Sequence, residues 1–284
     1  VVMANTTTTV QQQFTNAILM AMDKMKENGL KRLGERATVK GADSHTFNRK
    51  KKASYKKVVK SMFGDNGAKG DGGDFAHFKA SPERIISQEK LSKDEMNKTK
   101  IDLKSGFVSA MTTAVAVGED EIIIDKIKTG ATTLTGGVAT KTIDDLANVK
   151  ELIKAVRRAH VWSKTVPDAH KGVGVVIHPD DYITLSTSEI FINGDYQAAF
   201  RGGTGDVPVT FYGAEIFISD LVDKGTTYVV PAYSFGYAEW EGSLETTAEY
   251  HATDGLTWHL QVTKTGGAVL IEADKIAKIS SKAA

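Results

Sequence analysis

The longest regular alternation of apolar and polar positions runs from Asp102 to Gly130, DLKSGFVSAMTTAVAVGEDEIIIDKIKTG. Leu103, Phe107, Ala110, Met111, Ala114 and Val117 recur at steps of three or four, the helical period. Val108, Val115 and Ile122 form a second row seven apart that widens the apolar stripe. The spacing predicts one long helix with Phe107, Met111 and Ile122 on its buried side. Asp102 is placed to cap its start, and Gly130 follows the basic last turn of Lys126 to Lys128. Such a helix spans roughly 35–40 Å. Gly106 and Gly118 each cost about 1 kcal/mol of helix stability, so Gly118 is a candidate bend. The helix reads either as the core of an ordinary enzyme or as a spine from which separate lobes hang.

Upstream, residues 1–13 are polar and aperiodic, as expected of an arm. Phe14, Ile18, Met22 and Met25 then show helical spacing up to Gly34, an amphipathic element suited to docking on a neighbour. The next section is less ordinary. Asn48 to Lys60 carries Arg49, Lys50, Lys51, Lys52, Lys56, Lys57 and Lys60 with no acid among them. Gly64 to Asp74, GDNGAKGDGGD, follows as a tip of flexible composition. Phe75 to Ile101 alternates short apolar patches with charge. A stretch this long with so little core material fits a projecting hairpin whose partner is another chain, or else a solvated insertion. On the first reading, Gly64 to Asp74 orders only in an assembly, because its own side chains cannot offset ~1–2 kcal/mol per fixed residue.

Downstream, Ala131 to Lys141 reads as a Thr/Gly linker, and Thr142 as the cap of a second amphipathic helix through Ala159. Gly172 to His178, GVGVVIH, is a continuous apolar run consistent with a buried strand. Pro179 opens a helix with Asp180 and Asp181 in its first turn. Together these predict an α/β lobe from about Thr140 to Val230. Val207 to Ser219 reads as strand, turn and strand around Tyr212-Gly213, and Thr226 to Val230 as another strand. From Tyr233 the texture is β, with turns expected at Asp254-Gly255 and Gly266-Gly267. The last fifty residues are expected to form one antiparallel sheet packed on the spine helix.

Composition narrows the function classes. Of 284 residues, 41% are hydrophobic and 25% charged, the balance of a globular protein. The 36 basic and 35 acidic residues leave a net charge of +1, so any basic function is local. There are no cysteines, which excludes disulfides, thiolate catalysis and cysteine-based zinc sites. The uncharged stretch from Gly106 to Gly118 is too short to cross a membrane, which takes about 20 residues.

The motifs of catalysis and cofactor binding are weak. Gly136 to Thr142 lacks the glycine before Lys141 that a phosphate loop requires. Gly202 to Gly205 is a flexible loop, although an α/β enzyme with its site there is one alternative. Asp65 to Asp74 has calcium-loop composition, but an EF-hand would place glutamate where Ala76 stands. His160, His170 and His178 lack metal-ligand spacing and read as surface or satisfied core residues. No G-x-S-x-G elbow is present. We therefore expect no enzyme activity, cofactor or metal. The run from Arg49 to Lys60 has three readings: phosphate-backbone binding, a solvated face, or an inter-subunit contact surface.

The order of parts resembles tailed-bacteriophage major capsid proteins of the Hong Kong 97 type. AVAVGEDEIIIDKIKTGA resembles their spine segment, VVIHPDDYITL the strand and helix of the axial lobe, and AAFRGGTGDVPVTFYGAEIFISDLV the hairpin that follows. YSFGYAEWEG and GGAVLIEADKIAKI resemble the final sheet. The resemblance covers residues 100–284 well and 1–100 by organisation. It implies an α+β fold with an N-terminal arm (1–36), extension loop and flanks (37–101), spine helix of the peripheral domain (102–139), axial domain (140–231) and the C-terminal β-sheet of the peripheral domain (232–284). It implies a virion shell of pentamers and hexamers around double-stranded DNA, assembled in the bacterial cytoplasm. The chain itself is then the main partner, with a scaffolding protein, a portal and non-specific packaged DNA, a decoration protein as a further option, and no membrane. No long N-terminal scaffolding segment is seen, which implies a separate scaffold or earlier removal. Arg49, Lys50, Lys51, Lys52, Lys56, Lys57 and Lys60 become candidate assembly contacts. The same fold builds encapsulin-like compartments, which stay open as an alternative, as does a nucleic-acid-binding protein using 49–60.

Overall fold

The computed structural model describes residues 12, 14–21, 29–50, 75–92, 106–131, 137–163, 172–188, 200–201, 210–251 and 257–283. The expected cap at Asp102, the Gly64–Asp74 tip, the Asp254-Gly255 turn, the Gly202–Gly205 loop, His170 and the basic positions from Lys51 to Lys60 lie outside them.

The spine is a single helix, α1 (Gly106–Gly130). Its buried line is Val108, Met111, Val115, Ile122, Ile123 and Ile127. Phe107 is only half-buried, Ala110 and Ala114 are exposed, and Val117 is 47% exposed. The inward face is therefore centred on the row seven apart. One side of the helix rests on a sheet, and the other edge of the stripe is left facing outward. The helix runs unbroken through Gly118. That glycine lets a strand come close: a Cβ there would lie 2.7 Å from Ile85 Cγ2.

Two sheets flank the spine. In the first, β10 (Phe235–Trp240) lies between β1 (Glu35–Val39) and β12 (Thr257–Leu270). β11 (Glu245–His251) continues along the same edge of β12, and β4 (Glu83–Ser92) pairs with the other edge. Residues Glu35 to Val39 and Glu83 to Ser92 therefore belong to this sheet, whereas the sequence assigned them to the arm and the extension loop. β1 runs parallel to β10, so it joins through a long-range crossing that local pattern does not announce.

Gly266-Gly267 is not a turn. Both glycines lie inside the 14-residue β12. A Cβ at 266 would sit 2.2 Å from the Tyr237 hydroxyl, and one at 267 would sit 2.3 Å from the Ser81 carbonyl oxygen. Here glycine marks close approach of neighbouring groups to a strand.

The second sheet has the order β13 (Ala277–Ser280), β9 (Thr226–Pro231), β5 (Val173–Ile177), β8 (Ala214–Ile218), β7 (Thr210–Phe211) and β6 (Phe200–Arg201). β5 (Val173–Ile177) is buried along its whole length, as its unbroken apolar run requires. It pairs parallel with β8 (Ala214–Ile218) and antiparallel with β9 (Thr226–Pro231). β7 (Thr210–Phe211) turns into β8 at Tyr212-Gly213, both with positive φ (49° and 80°), as that dipeptide predicted. β6 (Phe200–Arg201) closes one edge. The other edge is β13 (Ala277–Ser280), so the last strand leaves the first sheet and returns to the α/β lobe. The expectation of one C-terminal sheet therefore fails at the 3-10 turn Ala273–Lys275.

Helix α2 (Leu146–Ser163) covers this sheet with Val149, Leu152, Val156 and Ala159. Its start is capped by Asp145, whose Oδ1 accepts the Ala147 N–H at 2.9 Å. Thr142, the expected cap, lies one turn earlier, and its carbonyl accepts from Asn148 Nδ2 at 2.8 Å. Helix α3 (Pro179–Ser186) begins as expected, with His178 accepting the Asp180 N–H through Nδ1 at 3.1 Å.

A two-stranded hairpin pairs β2 (His45–Lys50) with β3 (Phe75–Ala80). Helical residues 14–21 lie on the N-terminal half of α1. Phe14 and Ile18 pack there with Met111, Val115 and Leu260 of the same chain. The amphipathic element expected to dock on a neighbour thus docks at home, leaving Met20 69% exposed.

Candidate functional site

The two sheets and the spine meet around a carboxylate. Glu119 stands one helical turn after Val115 and just before Ile122, on the buried line, and is 1% exposed. It pairs with Lys31 from the N-terminal crossing and with Lys264 of β12, whose Nζ lies 2.6 Å from Oε1. Tyr237 of β10 donates its hydroxyl to the same oxygen at 3.1 Å. Lys264 also reaches Glu239 at 2.6 Å. One acid thus ties three distant chain segments together in a region where an unpaired charge is costly.

Burial pushes the Glu119 carboxyl upward, but the two ammonium groups and their hydrogen bonds outweigh it and hold it below its ordinary value. Burial alone would lower Lys264; Glu119 and Glu239 raise it. The Tyr237 hydroxyl is pushed far up by burial and by the adjacent Glu119 charge. The group is therefore ionised carboxylate, ammonium and neutral phenol at neutral pH. It is built as a clamp and contains no free nucleophile.

The next residue straps the crossing down. Asp120 Oδ1 accepts the Leu30 N–H at 2.9 Å. Gly29 (φ 89°) permits this approach, since a Cβ there would lie 2.9 Å from that oxygen. Leu30 and Leu33 then bury themselves against Ile123, Ile127, Val230 and Phe235. Arg32 pairs with Glu215 and lies 5.1 Å above the Phe217 ring, which connects the crossing to the second sheet.

Burial, with the neighbouring Glu119 charge, raises Asp120 to about 6, although the Leu30 N–H and Lys31 pull the other way. A group that titrates at 3.8 unfolded and about 6 folded favours folding in its protonated form. Its contribution is complete below pH ~4 and is lost as pH rises through 6. Asp120→Asn keeps an acceptor for Leu30 without a charge. It should raise stability at pH 7 by ~1–2 kcal/mol and flatten the pH 4–7 dependence, as denaturant titration at several pH values will show.

The hairpin β2–β3 packs against the first sheet, with Phe47, Phe78 and Ala80 in one cluster with Val39, Ala238 and Trp240. Phe47 is buried against Gly236, where a Cβ would meet its ring at 2.7 Å. Arg49 Nη2 donates to the Tyr233 carbonyl at 2.7 Å, and Trp240 Nε1 to that of Ala42 at 2.6 Å. Of the seven basic candidates, Arg49 is thus engaged within its own chain. Lys50 ends β2 opposite Phe75.

The sequence reading missed the Glu119 cluster. The signal was present: an acid on a row that is otherwise apolar must bring partners with it. Among the described residues, no group of three His, Asp or Glu is arranged to hold a metal ion, and no helix is long and apolar enough to cross a membrane.

No curated protein matches the sequence. Solved structures do match the fold. The virus-like particle of Pyrococcus furiosus aligns at TM-score 0.57 and 12% identity over 95% of this chain and 99% of that one. The capsid of an empty GTA particle aligns at 0.62 and 13% over 90% of each chain. Mycobacterium phage Che8 aligns at 0.57 and 15% over 84% of each. The phage capsid protein family model matches residues 86–279, well over half of the chain, and the chain belongs to that family, with a fold of the Hong Kong 97 type.

Proposed function

We propose that this major capsid protein closes into an icosahedral shell of pentamers and hexamers around the double-stranded DNA of a tailed phage. As a member of the family it is a structural subunit of the virion, not an enzyme. The observation that carries the shell reading is the hairpin β2–β3. Its strands pair only with each other among the described residues, it is bolted to the face of the first sheet through Phe47 and Arg49, and the chain leads from Lys50 into the basic run. A rigid plate from which the chain runs on into a long basic and glycine-rich segment suits a repeated heterologous contact.

In this reading residues 1–36 are the arm and 37–101 the extension loop with its flanks, of which β1 and β4 are lent to the plate. Residues 102–139 and 232–284 make the peripheral domain, and 140–231 the axial domain, to which β13 returns. The basic positions from Lys50 to Lys60 serve subunit contact. Scaffolding protein, portal and a decoration protein are the expected partners, with DNA held non-specifically on the inner face and assembly in the host cytoplasm. An encapsulin-like compartment is less favoured, because the matching family model is that of phage capsid proteins.

Gel filtration of the expressed chain tests this. Very large species or discrete capsomers are expected; a stable monomer at every concentration and salt would contradict the shell.

A further inference from the structure

Helix α2 has two faces of different character. Val149, Leu152, Val156 and Ala159 fill the core against the second sheet. Lys150, Lys154 and Arg157 lie roughly opposite them. Steps of four and three at ~3.6 residues per turn keep these three within about 60° of one another. Arg158 widens the row, and all four side chains are exposed. From Lys150 to Arg158 the row rises roughly 12 Å along the helix.

The row is almost free of acid. Between Leu146 and Ser163 the sequence holds one carboxylate, Glu151, which takes up Lys154 at 3.2 Å. Lys150 and Arg158 have no ion-pair partner among the described residues. Arg157 lies 5.8 Å from the centre of the Tyr212 ring. A guanidinium stacked in this way keeps its N–H groups for an acceptor in its own plane. On α1, by contrast, Glu121 and Asp125 accompany Lys126 and Lys128, and both lysines are paired, with Glu83 and Asp223. In a chain of net charge +1, the outward face of α2 is a local excess of one sign.

We propose that Lys150, Lys154, Arg157 and Arg158 bind the phosphate backbone of double-stranded DNA without reading its sequence. The inference rests on the shell reading and names the side chains of the genome contact. A duplex carries about one negative charge per 1.7 Å of its axis, so a row of this length meets enough phosphates to engage all four cations. The two arginines suit paired hydrogen bonds to phosphate oxygens, and the two lysines act as point charges. Val161, which extends the row, is 69% exposed and has no hydrogen-bonding side chain, so the row is built for backbone contact and not for base edges. Exposed cations make contacts that are weak singly and yield to salt. Repeated on every subunit, they hold a packaged duplex while letting it slide.

Salt-dependent binding of a fluorescent duplex to the full-length chain tests the contact. The Lys150→Gln/Lys154→Gln/Arg157→Gln/Arg158→Gln variant should fold, because all four side chains are exposed, and circular dichroism will confirm it. Its slope of log affinity against log salt should flatten by about 2–3, with affinity down about 100-fold at ~0.1 M salt. Exchanging lysine for arginine and arginine for lysine at the same four positions keeps the charge and should keep affinity within about threefold. The flattening should recur when Lys51, Lys52, Lys56, Lys57 and Lys60 are already changed to Gln, because the two basic regions act separately. An unchanged slope in either background would overturn the proposal.

A second readout separates DNA from a neighbouring chain. The quadruple Gln variant should close shells at the yield of the unaltered chain, because this face meets the genome and not a subunit. Lost shells from a folded variant would assign the face to subunit contact and overturn the proposal. Absence of shells from the unaltered chain would instead sink the shell reading, and the salt slopes would still decide the DNA contact.

Discussion

Glu119→Ala is expected to cost ~3–5 kcal/mol in unfolding of the isolated subunit, the largest effect of any single change considered. The removed carboxylate is 1% exposed and leaves Lys31 (7% exposed) without its partner and Lys264 (4% exposed) with Glu239 alone. It also strands the Tyr237 hydroxyl. The cost comes from the buried charge left behind more than from the lost attraction. A control makes this visible: Glu119→Leu combined with Lys31→Met and Lys264→Met should come within about 1–2 kcal/mol of the unaltered chain. The pH dependence has a fixed sign. Glu119 titrates below its ordinary value of 4.5 in the fold, so its contribution is present above that value and lost as pH falls through the native pKa. Denaturant titration of the single and triple variants checks the account. A single variant within 1 kcal/mol of the parent would show that the clamp is not closed.

Met111→Ala should cost ~2–5 kcal/mol. Met111 is 1% exposed and packs between Phe14 and Ile18 of the N-terminal helical segment and Ala248, Leu260 and Val262 of the first sheet. Its loss opens a cavity where three chain segments meet. Val117→Ala, six residues on in the same helix, should change stability by less than about 1 kcal/mol, since Val117 is 47% exposed. Phe107→Ala should fall between, because Phe107 is half-buried at the edge of the same cluster. Thermal melts of the three subunits give the order. Equal losses at Met111 and Val117 would mean that the spine does not present the face described here.

These contrasts show what the sequence could and could not reveal. The existence, length and helical period of the spine were legible because they are local. Which of two neighbouring apolar rows faces inward was not, because that is decided by where β4 and β12 lie. The acid at position 119 was the best clue, since it falls one turn from Val115 and three residues before Ile122. It demands partners, yet nothing local says they are Lys31, 88 positions away, and Lys264.

Glycine misled for a related reason. Gly266-Gly267 has turn composition, but in β12 it makes room for Tyr237 and for the Ser81 carbonyl, contacts made only when the sheet is assembled. Tyr212-Gly213 was read correctly because its positive φ angles serve a turn between adjacent strands. The return of β13 to β9, and the parallel entry of β1 beside β10, are topological choices that alternation cannot encode. The basic run from Arg49 was visible at once. Its first member turned out to bolt the hairpin to Tyr233, which puts the burden of subunit contact on the lysines that follow.

Copies of this chain should close on one another as subunits of a shell. Negative-stain electron microscopy of the purified full-length chain will show whether they do. Closed particles of uniform diameter with five-fold vertices are expected, and they should be lost when Lys51 to Phe63 is replaced by a neutral Gly/Ser linker of equal length. Uniform particles that persist after that replacement would contradict the role given to the basic segment. A field of single subunits from the unaltered chain, at concentrations where other shell proteins close, would show that this chain is not a shell subunit.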